Sequence, residues 1–393
     1  MADPNAAPSP PPAKRKLSWP KRVAAALVGV AVSLVVLELG CLAVVEAGVI
    51  SARVPGYELT APGGGFWGDV HAGFGAWHPP HASYRHQKAC FDVVYESNSY
   101  GARDVERSEQ SDAPRVVVLG DSFMEGYGVA RKDRLSDVLE VATGVPHLNF
   151  GTSGNAGTTH AFALYRGLAS RFRHDAVLCA ILPENDFDDD MPAAGRYLPY
   201  WHGDAPDYEL RFPVATAEDS SFRSRASRSG GFDMEHALRE FTYTQNVVDF
   251  VYSAYKQRRA RRKAQASDAD SRFFRYSEQE LARLQHSYEQ LAALAAPRPV
   301  VLFTIPRLSD FAAAASAGGA QTPLDAALAA WSAGIDNLHF VPLLPELTRR
   351  FGDDPSELFL SCDPHWSAVG HRAVAELLRA EAGEALHGAV EKR

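Results

Sequence analysis

Short apolar runs alternate with helically spaced segments through most of this chain. Four runs are rich in apolar side chains, residues 116–119, 176–182, 300–306 and 339–344, and a further short strand is expected at the start of the segment 147–158. Uninterrupted apolar runs of this length are typical of parallel strands that are covered on both faces. Segments with helical spacing lie between them, and Ser277 with Glu280 forms a capping-box pattern before one of them. The alternation predicts an α/β fold with a parallel five-stranded sheet and right-handed crossovers.

The N-terminal part follows a different pattern. Residues 23–45 are apolar except for Glu38, and about 20 such residues are enough to cross a bilayer. Basic residues precede the segment and none follows it directly, which places the N-terminus in the cytoplasm. We therefore expect a disordered Pro/Ala-rich cytoplasmic tail over residues 1–22 and a single-pass anchor over 23–46, with the rest outside the cytoplasm.

A cleaved signal peptide is the alternative for the apolar segment. Signal peptides have a shorter apolar region that ends in an A-x-A cleavage site. The sequence has no good site of this kind, which favours an uncleaved signal-anchor. Glu38 argues the other way, because a carboxylate within a span costs a few kcal/mol unless it lies near the interface or is protonated.

Beyond the anchor, the composition predicts two regions. Residues 47–89 are rich in Gly, Pro, His and aromatic residues and read as an irregular linker, and residues 90–393 read as the main domain. An insertion interrupts this domain at about residues 191–273. It carries an aromatic stretch, suited to stacking on sugars or to packing, and a basic run at 256–263.

Composition narrows the classes of function. The 393 residues carry a formal net charge of −8, which gives no support to nucleic-acid binding. The four cysteines have no CxxC spacing, so neither a zinc site nor a disulfide scaffold is indicated, although Cys90 and Cys362 are candidates for a bridge outside the cytoplasm. His71, His78, His81 and His86 lack regular spacing, so we read them as surface or loop residues rather than metal ligands.

The chemistry-bearing residues follow the predicted strands. Residues 116–119 run into a Gly120-Asp121-Ser122 turn, and Asn185 follows residues 176–182. Asp363 and His365 precede the last predicted helix. A serine needs a base, and the base an orienting partner, to act as a nucleophile near neutral pH. Ser122, His365 and Asp363 supply these three types. Each also has a purely structural interpretation, as a turn or capping residue.

This order of motifs resembles the SGNH/GDSL hydrolase family. The matching pieces are VLGDSFMEGYG with Ser122, NFGTSG with Gly154, LPEND with Asn185 and DPHWSAVGH with His365. They span roughly residues 95–378, and the NSYGARD segment before the serine strand is similar to that of membrane-anchored bacterial members. The acid of the family stands three residues before the histidine, where this chain has Cys362. Asp363 stands two before, as in the D-x-H-W motif of alginate O-acetylation relatives.

The resemblance implies a flavodoxin-like three-layer α/β sandwich, with Ser122, His365 and Asp363 as catalytic residues. It implies an oxyanion hole formed by Ser122, Gly154 and Asn185, and no metal or cofactor. The acidic DFDDD segment, residues 186–190, is therefore expected to face solvent rather than to bind calcium. The expected activity is hydrolysis or transfer of an ester-linked acyl group, chiefly acetyl, on an extracytoplasmic carbohydrate or lipid. Two alternatives stay open: a Ser–His dyad without Asp363, and a non-catalytic carbohydrate-binding or scaffold protein on a hydrolase fold.

Overall fold

The structure is a computed structural model, and it describes most of the chain. The described residues are 18–57, 66–67, 69–88, 90–153, 156–191, 198–212, 223–224, 234–264, 271–318, 321–352 and 354–391. Most of the predicted tail 1–22 lies outside them. The strands are β1 (Asp69–His71), β2 (Gly75–Trp77), β3 (Ser83–Lys88), β4 (Phe91–Glu96), β5 (Val116–Leu119), β6 (His147–Asn149), β7 (Ala176–Ile181), β8 (Tyr200–His202), β9 (Glu209–Arg211), β10 (Arg223–Ser224), β11 (Val300–Thr304) and β12 (Leu338–Val341).

Helices separate most of these strands. They are α1 (Trp19–Glu46), α2 (Ser122–Glu125), α3 (Leu135–Thr143), α4 (Thr158–Gly167), α5 (Pro183–Asp189), α6 (Met234–Phe241), α7 (Tyr243–Ala264), α8 (Glu278–Ala295), α9 (Leu308–Ser316), α10 (Pro323–Ser332), α11 (Leu343–Phe351) and α12 (Ala368–Glu391). Single 3₁₀ turns lie at Arg131–Asp133, Ala169–Arg171 and Pro355–Leu358.

The central sheet has five parallel strands in the order β12-β11-β7-β5-β6. This confirms the predicted fold class. Every residue of β5, β7 and β11 is buried, as the continuous apolar runs require. The order is that of flavodoxin-like sheets, and the direction of winding reverses between β5 and β7. In such sheets ligands bind beyond the carboxyl ends of the strands at this switch point.

Two helix pairs pack along the sheet: α3 with α12, and α4 with α8. Helix α8 begins with the predicted capping box, because Ser277 Oγ accepts from the backbone N–H of Glu280 and the Glu280 carboxylate accepts from that of Ser277. Tyr288 of the same helix donates to the carbonyl of Ala180 in β7 at 3.1 Å. The helices thus bury the sheet and leave its carboxyl edge for the site.

Two predictions for the N-terminal third need correction. Helix α1 begins at Trp19, inside the predicted tail, and is long and apolar enough to cross a membrane, although a signal sequence has the same properties. The predicted irregular linker 47–89 contains three strands, and Phe74 and Trp77 are buried in the main core. Strands this short show no readable alternation, and β1 is completed only by β10 from the insertion.

Candidate active site

A tight turn after β5 presents Ser122 at the sheet's carboxyl edge. Gly120 has a φ of +148°, and a Cβ at this position would lie 2.5 Å from Met124 Cγ. Only glycine fits such a turn without displacing its neighbours. Asp121 then caps the short helix α2, since its carboxylate accepts from the backbone N–H of Phe123 at 3.0 Å. Ser122 is the first residue of this helix and lies at the switch point between β5 and β7.

His365 is the hydrogen-bond partner of this serine. Its Nε2 lies 2.7 Å from Ser122 Oγ, although the two residues are 243 positions apart. Its Nδ1 is hydrogen-bonded to Asp363 Oδ1, which also accepts from the backbone N–H of His365 at 3.2 Å. A carboxylate on Nδ1 keeps the proton there and leaves the Nε2 lone pair for the serine hydroxyl. The two-residue spacing therefore brings the carboxylate to the imidazole, as the Ser-His-Asp arrangement requires.

Lys88 and a disulfide hold the Asp363 segment from the other side. Burial by itself raises the pKa of Asp363, but the bonds and charges of His365 and Lys88 outweigh it and hold that pKa well below the usual range. Lys88 Nζ pairs with Oδ2, the second carboxylate oxygen. Two residues after Lys88, Cys90 is bonded to Cys362, so the pairing that the sequence left open is present. Sequence reasoning missed Lys88, since nothing in its surroundings marks it.

Two aromatic rings enclose the imidazole. The Tyr127 ring stacks on His365 with centroids 4.1 Å apart and planes 20° from parallel, and the Phe123 ring lies 4.7 Å away. The side chain of His365 is 17% exposed, so the imidazole is partly accessible to solvent. Rings on both sides limit rotation of the imidazole and keep Nε2 directed at the serine.

Glu125, three residues after the serine, is a functional candidate that sequence reasoning missed. It is completely buried and accepts from Trp67 Nε1 at 2.9 Å and from the backbone N–H of Ser153 at 2.7 Å. Burial by itself raises its pKa, but the hydrogen bond and charge of His78, with smaller contributions from Arg103 and Ser153, hold that pKa at about 2. Ser153 directly precedes Gly154, so Glu125 links the segment that leads to Gly154 with the turn that carries Ser122. Its position three residues after the predicted nucleophile is the feature of the sequence that could have marked it.

The structure describes two of the three residues predicted to donate to the oxyanion, Ser122 and Asn185. The backbone N–H of Ser122 is at the start of α2, where helical N–H groups have no intrahelical partner. Asn185 lies in α5, just beyond β7, and its side chain is exposed. Strands β5 and β7 are paired, so the segments carrying Ser122 and Asn185 adjoin. Gly154 lies outside the described residues, and its role stays a prediction.

Two expectations about charged and titratable residues need partial correction. The DFDDD segment was expected to face solvent, but Asp186, Asp189 and Asp190 are buried. Asp190 Oδ1 accepts from the backbone N–H of Thr159 at 2.8 Å, and Asp186 Oδ2 from that of Leu182 at 2.9 Å, so they serve as internal caps. An acidic run has no apolar period, and therefore its burial cannot be read from the sequence.

The histidines of residues 47–89 agree with the expectation only in part, since His81 is exposed. His78 and His86 are buried rather than on the surface. His78 Nδ1 is 2.8 Å from the carbonyl of Gly101, and His86 Nδ1 is 3.2 Å from Tyr95 Oη. Within the described residues no group of three or more His, Cys, Asp or Glu side chains is arranged to hold a metal ion.

Comparisons with known proteins find similar chains among the solved structures. No protein-family model matches the chain, and no curated protein matches it significantly. The chain is similar to a member of the lipolytic protein G-D-S-L family from Veillonella parvula, with 11% identity over 69% of this chain and 99% of that one, and a TM-score of 0.34. It is also similar to a Corynascus thermopiles carbohydrate esterase family 2 enzyme with a carbohydrate binding domain, with 14% identity over 81% and 86% of the two chains and a TM-score of 0.33.

With identities and TM-scores this low, the activity has to be argued from the site itself.

Proposed function

We propose that this chain is a serine-dependent enzyme that hydrolyses or transfers an ester-linked acyl group, with acetyl as the expected group. One observation carries the proposal: Ser122 Oγ lies 2.7 Å from His365 Nε2, whose Nδ1 is hydrogen-bonded to Asp363. A serine, a base and an orienting carboxylate in this sequence of contacts form the arrangement that makes a hydroxyl nucleophilic. A hydrolase fold that has lost its catalytic activity has no need to keep these three side chains in contact.

The proposed reaction has two halves. Ser122 Oγ attacks the ester carbonyl carbon while His365 Nε2 accepts the hydroxyl proton. The negative charge that develops on the carbonyl oxygen is stabilised by the N–H groups of Ser122 and Gly154 and by the amide of Asn185. His365 then donates the proton to the departing alkoxide, and the acyl group is left on Ser122. Attack on this acyl-enzyme by water gives hydrolysis, and attack by an acceptor hydroxyl gives transfer, with His365 again as the base.

We propose further that α1 anchors the enzyme in the cell membrane, with the active site on the extracytoplasmic side. The Cys90–Cys362 disulfide supports this location, because disulfides persist in oxidising compartments. The proposed substrates are acyl esters of carbohydrate or lipid on that side of the membrane.

The test compares Ser122→Ala with Ser316→Ala, an exposed serine at the end of α9 whose hydroxyl donates to the carbonyl of Ala312 in the same helix. Turnover of p-nitrophenyl acetate should fall by about 10³-fold or more in Ser122→Ala, since triad members act as a unit. It should be unchanged in Ser316→Ala. A fluorophosphonate probe should label the wild type and Ser316→Ala but not Ser122→Ala. Equal turnover or equal labelling in folded Ser122→Ala would refute the proposed activity.

A further inference from the structure

Two side chains from the N-terminal segment that was predicted to be an irregular linker reach the active site. Lys88 pairs with Asp363. Trp67 lies 58 positions before Glu125, and its indole Nε1 is 2.9 Å from each of the two carboxylate oxygens of that residue. Both contacts come from residues that precede the region in which the resemblance to SGNH/GDSL hydrolases lies. Trp67 therefore joins the surroundings of the site although no motif marks it.

The Glu125 carboxylate is shared by Trp67 and the segment that leads to Gly154. Its Oε2 accepts from the backbone N–H of Ser153 at 2.7 Å and also from the Ser153 hydroxyl. His78 Nε2 lies 3.4 Å from Oε1. An indole N–H can only donate, and a hydrogen bond to an ionised group is about twice as strong as a neutral one. The indole therefore holds the carboxylate in the orientation that Ser153 requires.

Ser153 belongs to a segment that packs directly against the serine turn. The backbone N–H of Thr152 donates to the carbonyl of Gly120 at 3.2 Å. A Cβ at Gly151 would lie 2.4 Å from the backbone nitrogen of Glu125, so only glycine allows this close approach. A displacement of Glu125 would therefore move Ser153 relative to the nucleophile. Misplacement by about 1 Å can cost about 10²-fold in rate.

The ring of Trp67 contacts the other side of the site. It lies 6.4 Å from the Tyr127 ring, with planes 24° from parallel, and Tyr127 in turn stacks on His365 at 4.1 Å. Three further rings pack edge-on against the indole at centroid distances of 5.4–5.7 Å, those of Tyr84, His86 and Tyr95. Contacts of this kind favour one ring orientation. The indole is thereby fixed between the Glu125 carboxylate and the ring that covers the base.

We propose that Trp67 is a positioning residue for the proposed reaction. Its N–H orients the Glu125 carboxylate that holds Ser153, and its ring supports Tyr127 against His365. The proposal rests on the proposed function, since it assigns a role in that same reaction. The segment ahead of the hydrolase-like region is then part of the catalytic unit and not a spacer between anchor and enzyme.

The role of Trp67 is one of orientation rather than of charge. Burial by itself raises the pKa of Glu125, but the hydrogen bond and charge of His78, with smaller contributions from Arg103 and Ser153, hold that pKa at about 2. Glu125 therefore stays ionised near neutral pH when the indole is removed. A Trp67 variant should change kcat while the pH dependence of the free energy of unfolding stays as in the wild type. A general loosening of the core would instead weaken the contacts of Glu125 and flatten that dependence.

Two substitutions separate the N–H from the ring. Trp67→Phe removes the donor and keeps an aromatic ring beside Tyr127, and Trp67→Leu removes both. Trp331→Phe is the matched control, because Trp331 Nε1 donates to Glu289 at 2.8 Å in an exposed indole–carboxylate pair. The full chain is assayed for kcat and KM with p-nitrophenyl acetate, with circular dichroism to measure the folded fraction and Ser122→Ala as the blank.

In Trp67→Phe, kcat should fall by about tenfold or more with KM within about twofold of the wild type, because misplacement acts on the transition state. Trp67→Leu should lower kcat further, and Trp331→Phe should leave it unchanged. In a Glu125→Ala background, Trp67→Phe should cost less than about threefold, since the carboxylate through which the indole acts is gone.

Unchanged kcat in Trp67→Phe, with turnover that still depends on Ser122, would refute the positioning role and leave the proposed function standing. A change in KM alone, a loss that only follows the unfolded fraction, or an equal cost in the Glu125→Ala background would refute it as well. If the wild type shows no turnover beyond that of Ser122→Ala, the proposed function fails first and the positioning role fails with it. Where Trp67→Leu or Glu125→Ala does not fold, the kcat and KM of Trp67→Phe decide.

Discussion

Asp363→Asn tests the role of the carboxylate, and Lys88 decides the expected magnitude. The amide that replaces the carboxylate has only one oxygen, and two groups compete for it. Lys88 Nζ faces Oδ2, whereas Oδ1 faces Nδ1 and the backbone N–H of His365, the latter at 3.2 Å. A charge-assisted hydrogen bond is about twice as strong as a neutral one, so the oxygen should turn to Lys88.

The amide NH₂ then faces His365 Nδ1, which can only accept from it. The imidazole proton must move to Nε2, and this tautomer cannot take the proton of Ser122. A wrong tautomer costs about 10⁴-fold in kcat, or about 5.5 kcal/mol in the activation free energy. The assay is ester turnover, with circular dichroism to show that the variant is folded.

Lys88→Met provides the matched control. In this background nothing draws the amide oxygen away from His365, so Asp363→Asn should cost at least tenfold less in kcat than it does beside Lys88. Equal costs in the two backgrounds would refute the role given to Lys88. A loss below about tenfold, roughly 1.4 kcal/mol, in Asp363→Asn alone would remove Asp363 from the catalytic set and favour the Ser–His dyad.

Three further predictions concern the surroundings of the site. Asn185→Ala should lower kcat by about 10²–10³-fold with little change in KM, since an oxyanion donor acts mainly in the transition state; a change in KM alone would reassign Asn185 to substrate binding. Reduction of Cys90–Cys362 should lower the free energy of unfolding by about 2–4 kcal/mol and should also lower kcat, because Cys362 adjoins Asp363. Melting curves and ester turnover with and without reductant measure the two effects, and unchanged values would show that the disulfide is dispensable. The pKa of Glu125 is about 2 in the folded chain against 4.5 ordinarily, so its ionised form stabilises the fold by about 3 kcal/mol above about pH 5, and this is lost as the pH falls toward 2. Glu125→Gln should therefore make the free energy of unfolding, measured by denaturant titration, depend less on pH in this range. An unchanged pH profile would contradict the role given to the hydrogen bonds of Glu125.

Local sequence was sufficient for the sheet and the serine turn. The apolar runs at β5, β7 and β11 are buried on both faces, and a strand of that kind needs a continuous apolar run and little else. Gly120 and the capping box at Ser277 were readable for the same reason, because a turn or a cap is formed by residues within a few positions of one another. The resemblance to a known family supplied the order of the remaining site residues, and their catalytic roles stay proposals.

Tertiary structure alone decided which distant residues meet. Lys88 and Asp363 are separated by 275 positions, Cys90 and Cys362 by 272, and Glu38 and Tyr243 by 205. None of these pairs produces a periodic pattern in the sequence. The entropy cost of closing so long a loop is offset by the whole packed core, so the two residues of a pair need no mark in the sequence around them. The same holds for the buried Glu125: its neighbours come from segments far apart in the chain, and only their packing around the serine turn turns an ordinary glutamate into part of the site.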